Sequence, residues 1–273
     1  GIECLDTWTA ELRETGYLHN HARMWYASIW IHTLKIPWVL GADFFLQNLL
    51  DGDAASNTLS WRWVAGLHTK GKSYLAKAEN IRKCTATRFD PDTDLAKEPI
   101  DLSEKAESPS PEPLSALPAL PDEGRVGLLL HDEDLSAVYW LQKQIDCRAI
   151  AGVLPEDAYA SHRISEHVTQ FRKDGLMDAL GDQGTYHGSV DAILNWSELA
   201  NLDHIVMAQP SVGLWDDVLP ELKNALRSRG VRLSTARHWW DELLFPEARA
   251  GFFRFKKSIP SALERLEISQ PKM

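Results

Sequence analysis

Apolar residues recur at helical spacing from the start of the chain to residue 89. Over residues 3–14 (ECLDTWTAELRE), Leu5, Trp8 and Leu12 fall three and four positions apart, which predicts one buried helix face ending at Gly16. Met24, Ala27, Ile31 and Leu34 form a second stripe from His19 to about Leu34. Pro37 is expected to end that helix, because proline lacks the backbone donor and clashes with the preceding turn. Residues 42–50 (ADFFLQNLL) predict a third helix closed by Asp51-Gly52-Asp53, and a short fourth helix is expected to carry Trp61 and Trp63. No strand-like alternation precedes residue 90, so this part reads as all-α.

The pattern breaks between Phe89 and Gly124. Seven prolines stand there among many Ser, Asp and Glu, a composition that cannot build a core and predicts an extended linker along the surface. Beyond it, apolar runs at 126–130, 149–154, 204–208 and 231–234 alternate with helical patterns at 135–144, 214–229, 239–244 and 258–266. Strands alternating with helices predict a small parallel sheet covered on both faces, with right-handed crossovers. The expected fold class is therefore multi-domain: an all-α domain over residues 1–89, a linker over 90–123, and an α/β Rossmann-like three-layer domain over 124–273.

The net charge of −10 opposes nucleic-acid binding only until its distribution is considered. Residues 90–123 hold ten acids against Lys97 and Lys105, whereas residues 70–88 hold six bases against Glu79 alone. A basic strip therefore survives beside the helices, readable as a nucleic-acid contact or as a solvated face. Cys4, Cys84 and Cys147 are widely spaced without metal-binding spacing, which predicts a reduced, cytoplasmic protein. No apolar run reaches the ~18 residues of a membrane span, and a charged-then-apolar leader is absent from the N-terminus, so neither a span nor a secretion signal is expected.

Single residues outside the helical part give little chemistry. Gly181, Gly184 and Gly188 lack both dinucleotide-binding and Walker spacing and are not expected between a strand and a helix. The turn at 209–213 could hold an anion, as most strand-to-helix turns could. In His19-Asn20-His21, neighbours on a helix do not share a face and no acid completes a metal site, so no metal is expected. His32, His68 and the six histidines after residue 130 read as ordinary, and packing accounts for Trp140, Trp196, Trp215, Trp239 and Trp240. Asp51-Gly52-Asp53 is different. Two carboxylates between apolar helices are costly to bury unless a base such as Arg23 compensates them; the alternative is a capping turn with exposed acids.

Four motifs stand in order: Tyr17-Leu18-His19-Asn20-His21-Ala22-Arg23-Met24, Ile36-Pro37-Trp38, Asp51-Gly52-Asp53-Ala54-Ala55-Ser56-Asn57, and Trp61-Arg62-Trp63. Their order and spacing resemble the W/Y-M-H-N-R-x-R-M, I-x-W, D-G-D-x-A-x-N and W-Q-W motifs of DNA photolyases and cryptochromes, over residues 1 to about 90. The resemblance implies an Arg23–Asp51 ion pair against the ring of FAD, with Asp53 at the ring's polar edge and Asn57 opposite flavin N5. It places Trp61 next to the flavin and Trp38 second in an electron path. Asn20, which also falls in the cofactor set, would with His21, Met24 and Trp63 receive a flipped pyrimidine dimer. His21 stands where photolyases carry arginine, which would make one substrate contact weaker or pH-dependent.

The implied activity is light-driven electron transfer from reduced FAD to damaged DNA, a lyase reaction. The alternatives are a cryptochrome-like photoreceptor without repair, or a flavin-free scaffold. Gly1-Ile2-Glu3-Cys4-Leu5-Asp6 is similar to the tail of the family's T-G-Y-P-x-V-D. The family's third relay tryptophan, catalytic glutamate and diphosphate grip are thus expected upstream of residue 1. FAD is accordingly expected in a longer parent and absent or weakly held here, with self-association through an uncovered helical face. In most photolyases the α/β domain comes first, so the α/β part of this chain is expected to be an appended domain.

Overall fold

The computed structural model describes residues 1–68, 72–91, 95–102, 112–249 and 251–269. Lys70 of the basic strip lies outside the described residues, as do Asp92, Asp94, Glu104, Lys105, Glu107, Pro109 and Pro111 of the linker. Two compact units share the chain: residues 1–106 with 154–175 and 211–221, and residues 107–153 with 176–210 and 222–273. The units do not follow the sequence in two blocks, since two segments from beyond the linker belong with the helical one.

The helical unit opens with α1 (Glu3–Thr15), which buries Leu5, Trp8 and Leu12 as its spacing predicts, together with Cys4. Gly16 ends it in the left-handed region at φ 68°, where a side chain would be strained, and its carbonyl accepts from Leu50 N–H at 2.9 Å. The second helix, α2 (Asn20–Ser28), runs into a π-helical turn at Ile29–Thr33. Pro37 does not terminate this helix as expected. The wide turn ends it at Thr33, Leu34 is exposed rather than part of the buried stripe, and Pro37 instead caps the start of α3 (Trp38–Asn48). A proline suits that place because the first turn of a helix has no use for its missing donor. Next come α4 (Ala54–Val64), carrying Trp61 and Trp63, and α5 (Ala78–Cys84), which the apolar pattern did not reveal.

The core of this unit is largely aromatic, with Trp8 stacked on Trp25 at 5.9 Å between ring centroids and Tyr26 against Phe45 at 5.1 Å. Leu95, Ile100 and Leu102, from the start of the Pro-rich stretch, pack on it half-buried. His32, on the π turn, is buried between that stretch and α4. Its Nδ1 accepts from Ile100 N–H at 3.3 Å, so the proton falls on Nε2, which donates to Val64 O at 3.2 Å. Both ring nitrogens of the neutral form are satisfied, and burial lowers the imidazole pKa.

Five parallel strands form the sheet of the other unit: β1 (Val126–His131), β2 (Cys147–Val153), β3 (Gly184–His187), β4 (His204–Ala208) and β5 (Arg232–Ala236), in the order β3-β2-β1-β4-β5. The order reverses between β1 and β4, as in doubly wound α/β sheets. All residues of β1 and β4 are buried, which is why their sequences read as continuous apolar runs rather than alternations. Helices α6 (Ala137–Leu141), α7 (Glu156–Ser161), α8 (Glu166–Leu180) and α9 (Val190–Leu199) separate the first four strands. They are followed by α10 (Trp215–Ser228), α11 (Trp239–Leu244), α12 (Phe252–Phe255) and α13 (Ile259–Ser269).

The half-buried strand β3 and helices α7, α8 and α9 lay outside the apolar pattern, and α6 is shorter than its pattern suggested. One expectation is overturned here. Gly188 does stand between a strand and a helix, in the turn from β3 to α9, although the spacing of its neighbouring glycines still matches no phosphate loop. Two buried histidines of this unit bond to nearby backbone or to a buried serine. His131 accepts from Glu133 N–H at Nδ1 and donates from Nε2 to Ala208 O, both at 3.2 Å, and His204 Nε2 lies 2.8 Å from Ser234 Oγ. At the strand entrances, Arg125 binds Asp203 through backbone and guanidinium, holding its carboxyl well below the usual carboxylate range. No helix among the described residues is long and apolar enough to cross a membrane.

Candidate functional site

A cavity of about 490 Å³ opens in the helical unit. One side is α2, whose Asn20, Arg23, Met24 and Ala27 fall at successive three- and four-residue steps and so share a face. The end of α3 contributes Phe45 and Leu49, the turn after it Asp51, Gly52 and Asp53, and α4 contributes Ser56, Asn57, Ser60, Trp61 and Val64. Apolar side chains of α3 and α4 line it together with polar groups from α2, the turn and α4.

Each polar group is held from behind. Arg23 Nη2 lies 3.0 and 3.1 Å from the two carboxylate oxygens of Asp51, while its Nε donates to Leu18 O at 2.7 Å. Arg23 is the more buried partner, its side chain 24% exposed against 62% for Asp51. Neither acid is buried, so the turn takes the capping form, with Arg23 paired to an exposed Asp51 in addition. Asp51 pairs with the arginine, whereas Asp53 caps α4, its Oδ1 accepting from Ser56 N–H at 2.7 Å and Ser56 Oγ–H at 2.8 Å. Asn57 donates from Nδ2 to Ala42 O at 2.7 Å. That bond fixes the amide and leaves its carbonyl oxygen and second N–H to serve the cavity. Arg172 of α8, from a segment of the same unit, donates to Gly52 O and pins the turn.

Trp61 is 2% exposed, with Phe45 edge-on at 5.0 Å, Trp30 at 6.3 Å and Tyr26 at 6.5 Å. Its indole crosses α3 at Gly41, where an added Cβ would come within 2.2 Å of the ring. Trp38 sits half-buried on α3 under the Arg62 guanidinium, 5.7 Å from its ring centroid. The indole in ring contact with Trp61 is Trp30, a residue sequence reasoning passed over because it lies inside an apolar helical run. Trp63 stacks on Tyr74 at 5.6 Å and lines the cavity with Asn20 and Met24. His21 does not join them. It lines a second cavity on another face of α2, with its ring stacked on His19 at 5.5 Å. No group of three or more His, Cys, Asp or Glu that could hold a metal ion occurs among the described residues.

The model of the FAD binding domain of DNA photolyase matches residues 1–107. Over these residues the chain is similar to DNA photolyases and cryptochromes. A deoxyribodipyrimidine photo-lyase of Streptomyces griseus is 37% identical over 94 residues, covering 30% of this chain and 21% of the relative. A cryptochrome DASH of Idiomarina loihiensis is 35% identical over 107 residues, covering 36% and 23%, and the Escherichia coli deoxyribodipyrimidine photo-lyase is 36% identical over 74 residues, covering 27% and 16%. The chain thus spans about a fifth of the length of these curated relatives. No solved structure matches it.

The lining of this cavity suits the ring portion of a flavin. Its apolar side chains Phe45, Leu49 and Val64 suit a flat tricyclic face, and Arg23, Asp51 and Asn57 offer donors and acceptors to a polar rim. A diphosphate finds less here, since Arg23 is already committed to Asp51 and Leu18.

Proposed function

We propose that this chain carries the ring-facing part of the flavin pocket of a photolyase-like flavoprotein acting on pyrimidine-dimer DNA. FAD, when bound, would supply light-driven one-electron donation to the lesion. The residues of the chain hold and orient. Arg23 and Asp51 form a neutral pair that presents charge to the polar rim without leaving net charge in a half-buried site. Asn57, fixed through Ala42 O, offers its carbonyl oxygen as acceptor to a ring N–H, which favours the reduced, protonated form of the ring. Asp53 holds the start of α4, and with it the registration of Asn57 and Trp61 on one face. Trp61 is the electron relay next to the ring, with Trp38 assigned second by the family motif and Trp30 offering a ring-contact alternative. Asn20, Met24 and Trp63, on the same cavity, form the dimer-receiving side.

The observation that carries this reading is the convergence on one cavity of three of the four ordered motifs, the exception being Ile36-Pro37-Trp38. The test is blue-light repair of a dimer-bearing oligonucleotide by the protein loaded with reduced FAD. Repair that is lost in Asn57→Ala supports the reading. Flavin binding without repair would replace it with the photoreceptor reading, and failure to load flavin at all would leave a flavin-free scaffold.

A further inference from the structure

In the sheet unit, α12 and the turns beside it carry a basic and aromatic surface. Between Glu247 and Glu264 stand four bases, Arg249, Arg254, Lys256 and Lys257, and no acid, in a chain whose net charge is −10. Phe252, Phe253 and Phe255 are set among them in α12. Phe252 is 63% exposed and Phe253 84%, whereas Phe255 is half-buried. The two exposed rings lie 5.9 Å apart and meet edge to face, so each keeps an open face. Single exposed apolar side chains are ordinary on a protein surface, but two adjacent phenyl rings left in water among bases mark an interaction surface.

The order of the side chains around α12 decides what that surface can hold. Lys256 N–H donates to Phe252 O at 2.7 Å, which closes a helical turn and sets Lys256 beside Phe252. At about 100° per residue, the exposed side then runs Phe252, Lys256, Phe253, Lys257, ring and ammonium in alternation, with Phe255 on the half-buried side. A helix that lies on a membrane separates its bases from its apolar side chains. Here they share one face. Alternating rings and cations match a single strand of nucleic acid, whose unstacked bases present flat faces and whose phosphates recur at every unit. A duplex keeps its bases stacked inside and offers the rings nothing.

From these features we infer that α12 binds single-stranded DNA, with bases stacked on Phe252 and Phe253 and phosphates at Lys256 and Lys257. The choice of DNA rests on the reading of the chain as DNA-acting, but the test needs neither flavin, light nor a lesion. In the dark, the full chain is titrated against a fluorescent oligothymidylate and its duplex with oligoadenylate, by anisotropy, and against phosphatidylserine vesicles, by co-sedimentation. The single strand should bind saturably and more tightly than the duplex. The paired substitution Phe252→Ala and Phe253→Ala should weaken single-strand binding about tenfold or more while leaving its salt dependence unchanged. The pair Lys256→Gln and Lys257→Gln should weaken it and lower the slope of log K against log salt by about 1.4, from roughly 0.7 per phosphate contact. All four side chains belong to exposed residues, and an unchanged circular dichroism spectrum establishes that the variants fold. The inference is overturned if the single strand does not bind, if the duplex binds as tightly, or if the phenylalanine variant binds as tightly as the unaltered chain. It is overturned in favour of a membrane surface if the substitutions abolish vesicle binding and leave oligonucleotide binding intact. None of those results would touch the flavin reading, which fails only on flavin loading or repair.

Discussion

The buried histidines of the sheet unit and the polar residues along the cavity of the helical unit are held in opposite ways. In the sheet unit, His131, His204 and Ser234 are buried and bond to one another or to nearby backbone, so their chemistry is used up inside the fold. In the helical unit, Arg23, Asp51, Asp53 and Asn57 are each bonded on one side and stand along a cavity on the other. Packing accounts for the first arrangement. The second orders polar groups around a space lined also by apolar side chains, which is what a site for a flat, polar-edged molecule requires.

Substitutions can break this contrast, beginning with the largest effect. Trp61→Ala removes the most tightly enclosed ring beside the cavity and should destabilise the helical unit by about 3–5 kcal/mol, read from denaturant unfolding followed by near-ultraviolet dichroism. The sheet signals should move little if the units unfold separately. Gly41→Ala drives a methyl into the Trp61 indole at 2.2 Å, where the rings of Phe45 and Tyr26 restrict retreat. A loss of about 1–3 kcal/mol is expected, with altered tryptophan emission.

Acid should act the other way round, on the sheet unit first. Burial lowers the pKa of His131, His187 and His204 there and of His32 in the helical unit, from an unfolded value near 6.5. A depressed pKa means the unfolded chain binds more protons below that value. The stability from these neutral histidines is complete above about pH 6.5 and is lost as pH falls toward the folded values. Hydrogen exchange between pH 7 and 5 should show sheet amides losing protection before those of α2 and α4. Smaller again, Asp53→Ala removes the cap of α4 and should cost about 1 kcal/mol in the unfolding midpoint. Asp51→Asn is the smallest in stability, within about 1 kcal/mol because the pair is largely solvated, yet it should weaken flavin binding measured by fluorescence titration.

The helices around the cavity were legible because their apolar stripes are long and their ends are marked. Leu5, Trp8 and Leu12 with Gly16 define α1 without further help. Asp53 was open to two readings because capping and ligand contact ask for the same side chain at the same place. Trp30 was illegible as a site residue, since a tryptophan in an apolar run looks like core until its ring is seen against Trp61. The separation of His21 from Asn20 turns on the 100° step between neighbours on a helix, which assigns adjacent motif residues to different cavities. In the sheet unit, β1 and β4 announced themselves as apolar runs, whereas β3 is short and half-buried and carries no such signal.

The central claim is that Arg23, Asp51, Asn57 and Trp61 face one flavin ring. Its most direct test is titration of the chain with flavin while following flavin emission, for the unaltered sequence and for Trp61→Phe and Asn57→Ala. The account predicts saturable binding with quenched emission, quenching relieved in Trp61→Phe, and weakened binding in Asn57→Ala. Flavin that binds with the same affinity and the same quenching in both variants would place the ring elsewhere and contradict it.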